Sequence, residues 1–269
     1  MLPAIVETGG GDVATVYSTA QDGDIGSMDV VWPGYASYER AWNGTGRNLT
    51  GLPGEPLQVH ATQVAATVGQ YHEPYSPYGP DLYEIYRGVL PFDTSGLGEA
   101  VIESAALSMW IHLPGGTGSE ADWDLVTVEY TGSLPFTTSD WANFGAVSGG
   151  AIAKSSMAHR AYNVLSLNPT GLGWLNPKGT TVLGLRSSAD IAYTPPDEWD
   201  WTFVAISTVE SANPPYLSIT YSVATGPSMS VNIGGAWKQV SGVWVNIGGT
   251  WRAGEEVYCN IGGTWRKSD

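Results

Sequence analysis

Residues 83–111 read YEIYRGVLPFDTSGLGEAVIESAALSMWI, and this segment indicates the class of fold more clearly than any other part of the chain. Its first half alternates with the period of two that is typical of a pleated strand. Residues 93–96 (Asp-Thr-Ser-Gly) then supply side-chain oxygens that can bond backbone N–H groups and turn the chain. A second alternation over 102–111 places Leu107, Met109 and Ile111 on one face. The segment therefore predicts strand, tight turn, strand, as a central pair in a β-sandwich.

Four separated segments carry a resemblance to a known family. They are RGVLPFDTSGL (87–97), IESAALSMWI (102–111), AYNVLSLNPTGLGWLNPKGTTVLGLRSSADI (161–191) and PPYLSITYS (214–222). Their order resembles that of jelly-roll domains of secreted bacterial and phage proteins, of the carbohydrate-binding and DNRLRE-like kind. The resemblance spans residues 69–222. It implies a jelly-roll β-sandwich on a polysaccharide-handling protein or a virion appendage, and it carries fold better than function.

Composition agrees with an all-β chain. The 35 Gly and 17 Pro among 269 residues suit many short strands joined by turns. Twelve Trp and fourteen Tyr stand against four Phe. Because Trp and Tyr combine a large apolar body with a polar tip, this balance favours interfaces and binding faces over dry cores.

The charge distribution excludes some partners and suggests a domain boundary. A formal net charge of −15 argues against nucleic acid and anionic membranes, because both need a basic footprint. Residues 225–269 nevertheless hold four Lys or Arg and three Asp or Glu. We therefore predict three parts: an N-terminal arm over 1–25 that could dock on a larger assembly, a jelly roll over 26–224, and a C-terminal repeat over 225–269.

The start of the chain and its single cysteine bear on localisation. Cys259 alone cannot form an internal disulfide or a multi-thiolate zinc site. The N-terminal residues lack the basic and apolar regions of a secretory signal, and we expect no membrane insertion. A virion protein released by lysis reconciles an extracellular fold with a missing signal. A secreted protein whose signal has been trimmed is the alternative.

The remaining patterns predict further elements. Alternation and turn residues indicate strands over 35–42, 58–69, 125–130, 161–167 and 180–186. Residues 170–175 predict one helical turn, and Thr137 resembles a helix cap.

Two loops are candidate glycan-binding sites. The proline-rich stretch 71–83 presents Tyr75 and Tyr78, which could face a ligand or pack on the domain. The loop 193–201 (YTPPDEWDW) interleaves carboxylates with indoles. Aromatic faces cover the apolar side of a sugar ring and carboxylates accept hydroxyl hydrogen bonds. The residues of this second site are Asp197, Asp200, Trp199 and Trp201.

Two other interpretations of the loop 193–201 stay open. Its carboxylates could hold Ca²⁺, which prefers oxygen ligands, but no DxDxDG spacing is present. We therefore expect no metal and no cofactor. The second interpretation is purely structural: a loop edge with Trp tucked under it.

The last forty residues contain three units at a period of 14: VNIGGAWK (231–238), VNIGGTWR (245–252) and CNIGGTWR (259–266). Each Gly-Gly lies between two short apolar stretches, which is typical of a two-residue hairpin turn. Centring a turn on residues 248–249 pairs Ile247 with Thr250 and Asn246 with Trp251. The units resemble repeats that end many phage tail and virion structural proteins.

A two-stranded hairpin cannot stand alone in water, so these units must be covered. We predict that they form a β-meander whose Trp face is buried between chains, most simply in a homotrimer. The predicted interface residues are Trp237, Trp244, Trp251, Trp265, Asn232, Asn246 and Asn260. The competing interpretation is a ladder of exposed Trp that binds sugars.

Catalytic motifs are missing from the sequence. There is no G-x-S-x-G, no H-E-x-x-H and no phosphate-binding glycine loop. We expect no enzyme and no catalytic residues. The sequence as a whole predicts a structural protein of a phage virion (tail fibre, spike or capsid decoration) that contacts other virion proteins and could adhere to a host surface glycan. A secreted, non-catalytic carbohydrate-binding module is the alternative.

Overall fold

A computed structural model describes most of the chain. The described residues are 5–6, 12–31, 36–45, 57–61, 63–74, 81–114, 123–223, 230–233, 236–239, 244–247, 250–253, 258–261 and 264–267. The chain divides into two compact units, Met1–Ser222 and Val223–Asp269.

The first unit is built on a curled antiparallel sheet. Its strands in chain order are β1 (Ile5–Val6), β2 (Asp12–Tyr17), β3 (Gly23–Val31), β4 (Leu57–His60), β5 (Ala65–Glu73), β6 (Asp81–Asp93), β7 (Ala100–Pro114), β8 (Asp124–Glu129), β9 (Gly150–Ala153), β10 (Ala161–Ser166), β11 (Thr180–Ser187), β12 (Trp201–Ser207) and β13 (Tyr216–Val223). Their order in the sheet is β1-β2-β13-β7-β12-β5-β6-β11-β8-β9; in addition, β10 pairs with β7, and β3 pairs with β4 and β6.

Helical structure is confined to short turns in the described residues. The α-helices are α1 (Tyr38–Trp42), α2 (Pro169–Leu172) and α3 (Ser188–Ile191), and 3₁₀ turns lie at Ser95–Leu97, Thr138–Asn143 and Lys154–Ser156. The prediction of an all-β fold is therefore confirmed, whereas the jelly-roll topology stays a prediction.

The segment 83–111 forms β6 and β7 joined by a 3₁₀ turn, which confirms strand, turn, strand. The expected central pair is wrong, because β12 and β5 lie between β7 and β6 in the sheet. The turn between β6 and β7 is hydrogen-bonded to a different segment, because Thr94 Oγ1 donates to the carbonyl of Asn176 at 2.7 Å. This bond holds the connection against the segment before β11, so β6 pairs with β11 instead.

Strand β6 separates two apolar cores. Leu90 and Phe92 on one face belong to a large cluster that includes Leu107 and Met109 of β7. Ile85 and Val89 on the other face belong to a second cluster with residues of β3 and β8. Both faces of the strand are therefore buried, and its alternation of residue types does not mark a solvent-facing side.

Three sequence predictions differ from the structure. The described part of 35–42 forms helix α1 instead of a strand, because Ser37 caps it by accepting a hydrogen bond from the Arg40 N–H. The single strand predicted over 58–69 is interrupted, giving β4 and β5. Much of the predicted arm 1–25 lies in the sheet, since β2 pairs with β13 and β3 pairs with β6.

Other short elements are confirmed. The strands predicted over 125–130, 161–167 and 180–186 correspond to β8, β10 and β11, and the helical turn near 170 is α2. Thr137 forms a capping box with Asp140 at the start of the 3₁₀ turn Thr138–Asn143.

The second unit contains three two-stranded sheets. They are β14 (Ser230–Ile233) with β15 (Ala236–Gln239), β16 (Trp244–Ile247) with β17 (Thr250–Ala253), and β18 (Tyr258–Ile261) with β19 (Thr264–Lys267). The register of the middle hairpin is the predicted one, with Ile247 opposite Thr250 and Asn246 opposite Trp251. The outer hairpins repeat it.

Within the described ranges, no helix is long and apolar enough to cross a bilayer. The same ranges contain no group of three or more His, Cys, Asp or Glu residues placed to hold a metal ion.

A buried carboxylate links the start of β3 to the segment after β12. Asp22 is fully buried and accepts the backbone N–H of Val209 at 2.9 Å. Burial raises the pKa of Asp22 to about 6. Between the ordinary aspartate value of 3.8 and this value, the folded state binds more protons than the unfolded chain. This carboxyl therefore makes the fold less stable as the pH rises through that range.

We predict that Asp22→Asn removes part of this pH dependence. Asn resembles the protonated carboxyl, so the variant should gain stability relative to the wild type by about 1–3 kcal/mol when the pH is raised from 4 to 7.5. Urea unfolding followed by Trp fluorescence at both pH values measures the difference. The exposed Glu103→Gln is the control and should not change it. A difference between wild type and Asp22→Asn that is the same at both pH values would contradict the assignment.

Candidate functional site

Two arginines share one carboxylate inside the second core. Arg87 Nε and Nη2 donate to Asp190 at 2.9 Å each, and Arg186 Nε and Nη2 donate to the same carboxylate at 2.7 and 2.9 Å. Arg87 lies on β6, Arg186 on β11 and Asp190 in α3. Ser187 caps α3 by accepting the Asp190 N–H, which fixes the position of the carboxylate. We call these three residues the ion cluster.

The ion cluster is buried and carries an excess positive charge. The Arg87 and Arg186 side chains are 5% and 4% exposed and that of Asp190 is 0% exposed. Burial alone would raise the pKa of Asp190, but the two guanidinium groups outweigh it and lower the pKa below its ordinary value. The cluster therefore stabilises the fold above that ordinary value, and the contribution is lost as the pH falls through the lowered pKa.

Aromatic rings enclose Arg87. Its guanidinium carbon lies 4.0 Å from the ring centre of Trp141, 5.9 Å from that of Trp42 and 6.0 Å from that of Phe144. Arg87 Nη1 also donates to the Trp141 carbonyl at 2.9 Å. The contact with Trp141 is within cation–π distance, so the arginine is held by charge, hydrogen bonds and ring faces together.

The two indoles are tied to the ion cluster and to each other. Trp42 Nε1 donates to the backbone carbonyl of Asp190 at 2.9 Å, and Trp141 Nε1 donates to the carbonyl of Trp42 at 3.0 Å. These bonds place α1, α3 and the 3₁₀ turn Thr138–Asn143 around one point. Both rings are therefore oriented by polar contacts as well as by packing.

A cleft of about 220 Å³ opens beside this arrangement. It is lined by the two arginines of the ion cluster, by three aromatic rings and by two residues of its rim, namely Arg87, Arg186, Trp42, Trp141, Phe144, Asn43 and Ala142. The last two are exposed. The cleft thus combines guanidinium groups with aromatic walls.

A row of ring contacts extends from Trp42. Successive ring centres are 5.0 Å apart for Trp42 and Tyr193, 5.3 Å for Tyr193 and Tyr38, 5.6 Å for Tyr38 and Tyr83, and 4.0 Å for Tyr83 and His72. We call these five residues the aromatic row. The first contacts are edge or tilted contacts and the last is stacked, which are the favoured geometries of ring pairs.

Hydrogen bonds hold residues of the aromatic row in position. The Tyr38 hydroxyl donates to Gln70 Oε1 at 2.9 Å, and Gln70 Nε2 donates to the carbonyl of Thr194 at 2.6 Å. His72 Nε2 lies 3.2 Å from Asp81 Oδ1. Burial, followed by the charges of Asp81 and Glu198, raises the pKa of Tyr83. The charge of Glu198 therefore acts on this end of the row.

The loop between α3 and β12 brings two rings to the surface. Tyr193 and Trp199 have φ angles of 56° and 64°, a left-handed conformation that side chains adopt rarely. They are 45% and 56% exposed. Such backbone positions persist only where the surroundings hold them, and they are concentrated at functional sites.

The predicted residues of this loop are placed differently from one another. Trp199 is exposed. The structural interpretation, in which a Trp side chain packs beneath the edge of the loop, is therefore wrong for this residue. Asp197 is exposed, whereas Asp200 is buried and its N–H donates to the Asp197 carbonyl at 3.1 Å. The structure describes the backbone of Trp201 as the first residue of β12 but not its side chain.

The other predicted sites have less side-chain detail. Tyr75 and Tyr78 lie outside the described residues. The hairpin residues are described by their backbone pairing alone, which sets Asn232, Asn246 and Asn260 opposite Trp237, Trp251 and Trp265, and Trp244 opposite Ala253.

The ion cluster and the aromatic row were missed by sequence reasoning. One signal was present: Arg87 is a charged residue between Ile85 and Val89, on the buried face of a strand. A buried charge needs a partner. The partner, Asp190, lies 103 residues further along the chain, and no spacing rule connects the two.

Comparison with known proteins adds no relative. No protein-family model matches the chain, and a search of curated proteins found no match.

Proposed function

We propose that this protein is a structural protein of a bacteriophage particle, as a tail fibre, spike or capsid decoration, and that its C-terminal hairpins attach it to further copies of itself. The observation that carries the proposal is the threefold repetition of one hairpin with one register. The sequence resemblance described above supplies the phage context.

Each hairpin is a separate two-stranded sheet within the described residues. Such a sheet is marginally stable in water by itself. Every hairpin sets Asn opposite Trp at the same position, and cross-strand partners point to the same face. The same sequence unit with the same strand pairing therefore recurs three times, which suits a repeated contact with other chains.

We propose a homotrimer as the assembly that covers these faces. Closed symmetric assemblies place the same surface of each chain in the same environment. Chains that pack their Trp faces together around an axis would bury all three repeats at once. Contacts to other virion proteins would then use the remaining surface.

The aromatic row supports a second role in host-glycan adhesion. Tyr193 of the row is exposed, and Trp199, Asp197 and Glu198 of the same loop are exposed as well. Ring faces cover the apolar side of a sugar, and carboxylates accept its hydroxyl groups. The same surface would serve a secreted, non-catalytic carbohydrate-binding module, which remains the alternative function.

We predict that the C-terminal unit sets the oligomeric state. The full chain should have the mass of a trimer in light scattering, and a chain ending at residue 224 should be a monomer. A second variant with Trp237, Trp251 and Trp265 changed to Ser should also dissociate. Circular dichroism of both variants serves as the control for folding. An unchanged oligomer in the folded truncated chain would contradict the proposal.

We predict that Trp199→Ala weakens glycan binding. Burying a large apolar ring against a ligand contributes about 1.5–3 kcal/mol, so affinity should fall about 10- to 150-fold. A glycan array identifies the ligand, and titration with that glycan gives the change. Tyr17→Ala is the matched control, because Tyr17 is 55% exposed on β2. Equal losses in both variants, or no glycan bound by the wild type, would refute adhesion at this loop.

A further inference from the structure

The ion cluster leaves one positive charge without a partner in the described residues. Both arginines pair with Asp190, and no second carboxylate joins them there. An uncompensated buried charge is costly, several kcal/mol in typical cases. The chain as a whole carries −15, so this local excess is opposite in sign to the net charge of the chain. An anion in the neighbouring cleft would neutralise it.

The described residues do not use all of the N–H donors of Arg87. A guanidinium has five N–H donors. The hydrogen bonds of Arg87 to described residues use Nε, one hydrogen of Nη1 and one of Nη2. Two N–H groups of a residue that lines the cleft are therefore left for an acceptor that enters it. Carboxylates and phosphates are the acceptors that match a guanidinium bidentately, and a carboxylate is the one with a single charge.

The aromatic side chains that line the cleft favour a ligand that contains a ring. Trp42, Trp141 and Phe144 line it, while Asn43 at the rim brings an amide that can donate and accept. The volume of about 220 Å³ is below the roughly 300–1,000 Å³ of sites for drug-sized ligands. It therefore suits one ring with its substituents and not an extended chain.

The overall charge restricts the ligand further. A polyanion would be repelled by a chain of net charge −15. Charges further away than about 8 Å are largely screened at physiological ionic strength. A single carboxylate close to the ion cluster would therefore experience mainly the local positive charge.

We propose that the cleft over the ion cluster binds one carboxylate-bearing sugar ring, of the uronic acid class. The carboxylate bonds the guanidinium of Arg87 and neutralises the ion cluster, while the ring lies against Trp42 and Trp141. Asn43 bonds a hydroxyl group. This proposal concerns the first unit alone and does not depend on assembly through the hairpins. It extends the proposed glycan adhesion to a second, adjoining subsite.

The test is a titration of the full chain with sodium glucuronate, glucose and sodium acetate. Calorimetry gives the affinities, and Trp fluorescence reports contact with Trp42 and Trp141. Glucuronate should bind at one site per chain and at least about tenfold more tightly than glucose or acetate, because a charged hydrogen bond and a stacked ring each contribute about 1.4 kcal/mol or more. Equal affinity for glucuronate and either control compound would overturn the proposal, as would no binding of glucuronate.

Variants at exposed alanines locate the site without disturbing the core. Ala142→Glu places a carboxylate at the rim, where it competes with the ligand, and should weaken glucuronate binding about tenfold or more. Ala212→Glu adds the same charge at an exposed position that does not line the cleft, and should leave the affinity unchanged. Equal effects of the two substitutions would show that the ligand binds elsewhere. Loss of adhesion in Trp199→Ala with intact glucuronate binding would separate this subsite from the loop.

Discussion

The first unit depends on the pairing of two buried arginines with Asp190. This contact joins β6, β11 and α3, and the hydrogen bonds of Trp42 and Trp141 bring α1 and a 3₁₀ turn to the same place. Apolar packing alone could hold the sheet together. It would not orient the rings, because the hydrophobic effect has no preferred direction, whereas the indole hydrogen bonds to backbone carbonyls do. The ion cluster thus couples the stability of the second core to the geometry of its surface.

Two surfaces of different character follow from this arrangement and from the C-terminal repeat. In the first unit, Gln70 bonds Tyr38 and the Thr194 carbonyl, and the exposed Tyr193 packs on Tyr38. A ring held in this way loses little freedom when a ligand binds. In the second unit, the hairpins repeat one strand pairing three times. In the proposed function, recognition and assembly would be carried by separate parts of the chain.

The sequence predicted local structure well and long-range structure poorly. The register of the hairpins followed from Gly-Gly turns and period-two alternation, both of which are local. The pairing of β6 and β7 was mispredicted, because Thr94 fixes the connection to the segment before β11, more than 80 residues away. The helix at Tyr38 was missed because its cap at Ser37 outweighed strand-like aromatic residues. The residue type of Trp199 identified it as a candidate for glycan binding. Tyr193 of the same loop is a candidate because it contacts Tyr38 and Trp42, and the sequence does not show these contacts.

The most direct measurement of the central claim is the free energy of unfolding of Asp190→Asn at pH 7. Removing the shared charge leaves two buried guanidinium groups without a counter-ion, and breaking a buried pair in this way costs about 3–5 kcal/mol. Glu103→Gln removes a carboxylate from an exposed position of β7 and is the matched reference. The account predicts a loss in that range for Asp190→Asn and a change within about 0.5 kcal/mol for Glu103→Gln. Similar stabilities of the two variants would contradict it.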